Sequence, residues 1–149
     1  MSRIKVSTMI DAPRDRVWTV VRDIASHVDW MEDADAIRFT SRTHRGVGAT
    51  FECDTKIGPF RLTDRMEVTE WREGRTIGIR HVGLVTGTGR FTLARRRHGR
   101  TRFTWEERLT FPRKLGGWPG SVAGGLVLRQ VWRRNLRNLK HRVEGAHQS

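Results

Sequence analysis

Three acid–base side chains fall on positions that strand geometry turns toward the apolar side. Side chains alternate faces along a strand, so apolar residues at every second position settle the direction of their neighbours too. In RFTWEERLTF, Arg102 to Phe111, the residues Phe103, Trp105, Leu109 and Phe111 share one face, and Glu107 shares it with them. Over 60–70 the same parity collects Phe60, Leu62, Asp64, Met66 and Val68, and over 75–82 it collects Ile77, Ile79 and His81. On a helical stretch near the C-terminus, Arg129 falls on the stripe of Val122, Trp132 and Leu136. A lone buried charge is very costly, so each of these groups must be paired, wetted by a cavity or neutralised. Three chemistries are open. Arg129 can pair with Glu107 or Asp64 and tie helix to sheet. The polar groups can orient the polar end of a ligand held by apolar walls. Or a carboxyl raised in pKa by its apolar wall can exchange protons with a bound substrate, with Glu107, His81 and Asp64 as the catalytic candidates.

The elements that must position these residues are legible from periodicity. Residues 3–11 alternate as a half-buried strand. Pro13 suits a first helical turn, Asp11 can cap it, and Val17, Val20, Val21 and Ile24 form an apolar stripe at helical spacing. A second short helix is expected over Ile24–Trp30. Strands are expected over 36–45, 49–57, 60–71, 75–82, 84–96 and 101–112, separated by turn-like RGVG, GP, REGR, VG and RRHGR. Connections this short make an antiparallel meander, because parallel strands need long crossovers. Trp71 has outward parity in its strand and can end it. From about Ser121 to Val143 the pattern is helical, with Val122, Leu126, Leu128, Trp132, Leu136, Leu139 and Val143 as its apolar stripe and Arg133, Arg134, Arg137 and Lys140 opposite. So long a helix must cover something, and the large apolar surface available is the concave face of the sheet. The expectation is a single α+β domain: a curved antiparallel sheet of about seven strands, two short helices after the first strand, and a long C-terminal helix held in the sheet.

Such a sheet and helix leave a cavity between them. Its candidate ligand-contacting residues are Trp30, Phe39, Phe51, Cys53, Met66, Ile79, Phe91, Trp105, Trp118, Val122, Leu126 and Arg129. Tryptophans 18, 30, 105, 118 and 132 can line or plug it, with Trp30 and Trp118 nearest to loops. Gly124 and Gly125, costly inside a helix, read either as close packing against the sheet or as cavity space beside a flexible gate over 115–125.

Composition narrows the class. The 149 residues are enough for one domain with a real core. No apolar run reaches membrane-spanning length. The N-terminal stretch lacks the apolar block of a signal peptide, and the single cysteine excludes an internal disulfide. A cytoplasmic protein is expected, monomeric or homodimeric. The net charge of +13 is the loudest bulk feature, but the arginines are spread over outward positions and are not interleaved with exposed aromatics, and no nucleic-acid-binding motif is present. No specific nucleic-acid partner is expected, although a basic surface module for anionic lipid or nucleic acid stays as a third reading. GTG at 87–89 is not a dinucleotide fingerprint, since no helix follows it; those glycines bend the strand or leave room. The six histidines show no paired metal-ligand spacing, so neither metal nor cofactor is expected. Cys53 has inward parity and reads as a small core residue rather than a nucleophile.

Element order and several local strings resemble a known superfamily. IDAPRDRVWTVVRD (10–23), the Asp29–Trp30 pair, GVGATF (46–51), MEVTEW (66–71), FTWEERLTF (103–111) and WRRNLRNLKHRVE (132–144) look like the START-like, Bet v 1-like (SRPBCC) superfamily, and in particular its bacterial polyketide cyclase/dehydrase and lipid-transport branch. The resemblance covers nearly the whole chain. It implies the helix-grip fold and a hydrophobic or amphipathic small-molecule ligand, lipid-like or an aromatic polyketide, between sheet and helix. It also implies the possibility of ring closure or dehydration of a polyketide, for which the inward acid–base residues are candidates. None of the matching strings is a catalytic motif, and fold likeness does not by itself decide function.

Overall fold

The computed structural model describes residues 2–57, 59–112 and 122–148. Strand β1 (Ser2–Ile10) is followed by helix α1 (Arg14–Val21) and a 3₁₀ helix (Ile24–Asp29). The chain then runs as β2 (Ala34–Phe39), β3 (Thr50–Ile57), β4 (Phe60–Arg72), β5 (Thr76–Val82), β6 (Thr86–Arg96) and β7 (Arg100–Thr110), and ends in α2 (Val122–Gln148). The strands form one antiparallel sheet in the order β1-β7-β6-β5-β4-β3-β2. Every step from β2 to β7 is a neighbour-to-neighbour hairpin. The exception is the passage from β1 to β2, which lie at opposite edges; α1 and the 3₁₀ helix carry the chain across.

One sheet face is dry. Along β7 every second residue from Thr101 to Leu109 is buried, Glu107 included. Ile4, Val6 and Ile10 of β1 continue that surface, and Leu128, Trp132, Leu136, Leu139 and Val143 of α2 close over it. The helix is also pinned by polar contacts. Asn135, fully buried, accepts from the Glu32 amide at 2.9 Å and donates to Asp33 at 2.7 Å. Trp132 Nε1 donates to Asp33 at 3.1 Å, and Asn138 donates to the Trp30 carbonyl at 3.2 Å. Lys140 donates to the Met9 carbonyl at 2.8 Å.

Three sequence expectations need correction. Leu126 is 61% exposed, not inward. A helix turns about 100° per residue, so a leucine two positions before buried Leu128 lies on the opposite side. The expected strand over 36–45 stops at Phe39. Ser41 and Thr43 donate to the carbonyls of Thr43 and Arg45, a local alternative to the ladder. Trp71 is half-buried against the core rather than outward. A β-bulge between Val68 and Glu70 inserts one residue and flips the parity that holds from Phe60 to Val68. Trp71 then packs edge-on against Trp18 at 5.3 Å, and both indole N–H groups donate to Glu73. The expected gate over 115–125 lies largely outside the described residues. At Gly125 a Cβ would meet open space, so close packing does not demand glycine there.

The phase of α2 has a direct test. Leu136→Ala, at a site 1% exposed, should lose about 2–5 kcal/mol in chemical denaturation. Leu126→Ala should stay within about 0.5 kcal/mol of the parent. Comparable losses at the two positions would show that the helix is rotated relative to this description.

Candidate ligand-binding site

His81 stands on β5 and Glu107 on β7, with β6 between them. Adjacent strands lie about 4.8 Å apart, so these two backbones are separated by about 10 Å. What lets the side chains meet is the inward face of β6. The register aligns Ile79–Gly89–Glu107 in one row and His81–Gly87–Leu109 in the next. With no side chain on either glycine, His81 and Glu107 lean diagonally across β6 and join, Nε2 to Oε1, at 2.8 Å. A Cβ at Gly89 would sit 2.5 Å from that same carboxylate oxygen. A Cβ at Gly87 would collide with the Arg108 carbonyl oxygen at 1.9 Å, and its φ of +133° is a conformation for glycine. On the other side Asp64 of β4 lies diagonal to His81, whose Nδ1 is 2.9 and 3.1 Å from the two carboxylate oxygens. The result is a line, Asp64–His81–Glu107, drawn across β4, β5 and β7.

All three are buried, at 8%, 5% and 6% exposure. Burial by itself lowers the His81 pKa, but the Glu107 charge and the hydrogen bonds that the ring donates to both carboxylates outweigh it and raise it to about 10. The ring is therefore an imidazolium at neutral pH, donating from both nitrogens. Burial pushes the Glu107 carboxyl up, with the His81 cation pulling the other way. The partner of Glu107 is thus His81, not Arg129. Arg129 is half-buried on α2 and is not among the residues lining the cavity.

The line forms part of the wall of a cavity of about 110 Å³ between the sheet and α2. Ile37, Phe51, Met66, Ile77, Ile79, Val85, Phe91, Leu109, Leu128 and Trp132 supply apolar surface around it. Trp105 of the sheet and Trp132 of the helix stack at 4.4 Å and 10°, joining the two walls. Among the sequence candidates, Phe51, Cys53, Met66, Ile79, Phe91 and Trp105 line the cavity. Trp30 lies behind it, 1% exposed and packed against the rings of His27, Phe91, Phe103 and Trp105. Phe39 stacks on His44 instead, at 3.9 Å. Leu126 faces outward. Trp118 and the side chain of Val122 lie outside the described residues.

Among the polar liners that sequence reasoning missed are Asp33 and His27. Asp33 comes from an irregular polar run with no periodicity to orient it. It takes both the Trp132 and Asn135 hydrogen bonds, and burial pushes its carboxyl up. His27 sits in the 3₁₀ helix, where neither strand nor helix parity applies. Burial lowers its pKa to about 4, so it is a neutral ring whose Nε2 donates to the Val21 carbonyl at 2.7 Å. Cys53 keeps its proton, burial having raised its thiol to about 11. Among the described residues no group of His, Cys, Asp and Glu is placed to hold a metal ion, and no helix is long and apolar enough to cross a membrane.

A curved antiparallel sheet gripping a long C-terminal helix over an apolar cavity is the helix-grip architecture of START-like proteins. The chain belongs to the polyketide cyclase / dehydrase and lipid transport family, whose model matches residues 1–144. Its backbone is similar to that of a Thermus thermophilus protein (TM-score 0.79, 14% identity, covering 97% of this chain and 99% of that one). It is also similar to a START superfamily protein from Mycobacterium smegmatis (0.74, 12%, 97% and 98%). A third likeness is to the Zhui aromatase/cyclase from a Streptomyces species (0.68, 17%, 96% and 93%). At these identities the likeness carries the fold. Comparison with curated proteins returns no match.

Two outcomes follow from the buried line. Gly89→Ala should displace Glu107, cost about 1–3 kcal/mol, and bring the His81 pKa, followed by NMR, down from about 10. An unchanged His81 titration would separate the glycine from the contact. The second outcome concerns pH. His81 holds its proton more tightly folded than unfolded, so its contribution is complete below about 6.5 and disappears as pH rises through about 10. Melts between pH 7 and 10 should show the parent losing stability by up to about 1.4 kcal/mol per pH unit. His81→Gln should flatten that slope, and equal slopes would contradict the assignment.

Proposed function

We propose that this protein binds a small molecule with an apolar, ring-bearing or short-chain body in the cavity between sheet and α2. The observation that carries the reading is an apolar cavity with one polar line, Asp64–His81–Glu107, in its wall. Apolar surface with a few placed polar groups is the general makeup of such sites. Family membership and the fold support the same class of ligand. The volume of about 110 Å³ is below the roughly 300–1,000 Å³ of drug-sized sites. An apolar cavity of about 150 Å³ takes benzene in another protein, so at about 110 Å³ a single ring or short chain is the upper limit of what this shape holds. A lipid-like chain or polycyclic polyketide needs the walls to part.

A second reading is supported by the contact between His81 and Glu107. A carboxyl that shares a proton with a buried imidazolium is equipped for acid–base work on a carbonyl compound, as cyclisation or dehydration of a polyketide requires. In that reading Glu107 exchanges protons with the substrate, His81 holds the charge balance, and Asp64 fixes the ring. Among structural neighbours one bears the name aromatase/cyclase.

The test is native mass spectrometry of the protein as purified, followed by organic extraction, on the parent and on Ile79→Trp, which fills the cavity. The expected result is a bound compound with an apolar body in the parent and its loss in the variant. Retention of the same compound by Ile79→Trp would sink the cavity reading. With a ligand in hand, Glu107→Gln separates the two readings: a catalyst loses turnover yet still binds, whereas a carrier changes in affinity alone.

A further inference from the structure

The cavity wall is rich in carboxyls although the chain as a whole is basic. The chain as a whole carries +13, yet the polar groups on the cavity wall include three carboxyls, Asp33, Asp64 and Glu107, against one cation, His81. Arg90 also borders the cavity, but its guanidinium is turned to the outer sheet face, where Nη2 meets Glu70 at 2.9 Å. His27 is neutral and its Nε2 is committed to a carbonyl. The imidazolium of His81 has no hydrogen left to offer, because Nδ1 faces Asp64 and Nε2 faces Glu107. Asp33 has both oxygens engaged, by Asn135 and Trp132. Glu107 is different. It is 6% exposed, its Oε1 receives His81, and its Oε2 has no hydrogen-bond partner among the described residues.

A ligand headgroup entering this cavity therefore finds carboxyl acceptors, and no free donor from His27, Asp33, Asp64 or His81. A carboxylate or phosphate head would be placed beside carboxyl oxygens in a low-dielectric site, where the Cys53 thiol and the Thr55 hydroxyl already donate to the Asp54 and Cys53 carbonyls. Like charges so placed are strongly disfavoured, and an unpaired buried charge is costly. A protonated amine does the opposite: it donates to Glu107 Oε2 and balances the excess of carboxyls. We infer that the cavity selects an amphipathic amine, a cationic head on an apolar body, and rejects fatty acids and other anionic amphiphiles. This rests on the cavity reading above and names the headgroup that the reading leaves open.

The experiment uses three compounds with one ring and one carbon between them: benzylamine, benzyl alcohol and benzoate. Toluene serves as a headless control. Each is titrated into the 149-residue protein at neutral pH, with the indole N–H signals of Trp105 and Trp132, which border the cavity, followed by NMR. The exterior charge biases adventitious surface binding toward benzoate, so a preference for the amine cannot arise from bulk attraction. The expected result is that benzylamine shifts both indole signals and binds at least about tenfold more tightly than benzoate, a gap of about 1.4 kcal/mol. In Glu107→Gln that preference should shrink. Benzylamine binding no more tightly than the alcohol or the acid overturns this inference, while leaving the cavity as a ligand site. If none of the four perturbs the indole signals, the ligand site itself is refuted and the headgroup inference falls with it. The parent measurements decide the matter even if the variant fails to fold.

Discussion

A histidine cation buried between two carboxylates is the contact on which the rest of the site depends. None of the three groups tolerates the dry face of the sheet alone. Removing an ion from water costs several kcal/mol, and only close pairing with satisfied hydrogen bonds offsets it. The pairing is possible because β6 presents glycine at both positions opposite the contact. A side chain at either would stand between His81 and Glu107 or strike the neighbouring backbone. The GTG segment thus has a structural purpose that no phosphate-binding motif explains. It opens a gap through which residues two strands apart can touch.

The same economy shapes the other wall. The sheet leaves one face dry, and α2 covers it with a leucine and tryptophan stripe. The helix also reaches polar partners at the segment before β2, where Asp33 gathers Trp132 and Asn135. Helix and sheet are therefore tied both by the Trp105–Trp132 stack and by a buried hydrogen-bond cluster. The cavity lies between these ties. Its carboxyls sit inside while the arginines sit outside and pair with surface acids, as Arg38 does with Asp54 and Arg80 with Glu67. A protein of strongly basic exterior thus encloses an acidic interior. Bulk charge says nothing about the chemistry of its pocket.

Family membership defines the architecture and the kind of place where a ligand sits. It does not define the chemistry, which belongs to individual side chains. Here those side chains form a proton-rich line in an apolar wall. That arrangement suits recognition of a headgroup and suits acid–base work equally, and the two differ in whether Glu107 changes its protonation during the encounter.

Much of this was legible in the sequence because period-two alternation is local. Phe103, Trp105, Glu107 and Leu109 must share a face once the segment is a strand, and the short turns dictate an antiparallel meander. The inward direction of Asp64, His81 and Glu107 followed from that alone, and the long covering helix followed from its own apolar stripe. Partnership did not follow. Parity says which way a side chain points, not which strand stands beside it or in what register, so Glu107 could as well have met Arg129 as His81. The bulge that turns Trp71 inward carries no single-residue signature, and the phase of α2 near Leu126 was decided by packing against β1 and the cavity. Asp33 and His27 lie in irregular segments, where direction is set by tertiary contacts. The sequence by itself determined most of the elements and the faces of the acid–base residues. The tertiary structure decided the pairing, because a hydrogen bond across three strands depends on distances that only the folded register creates.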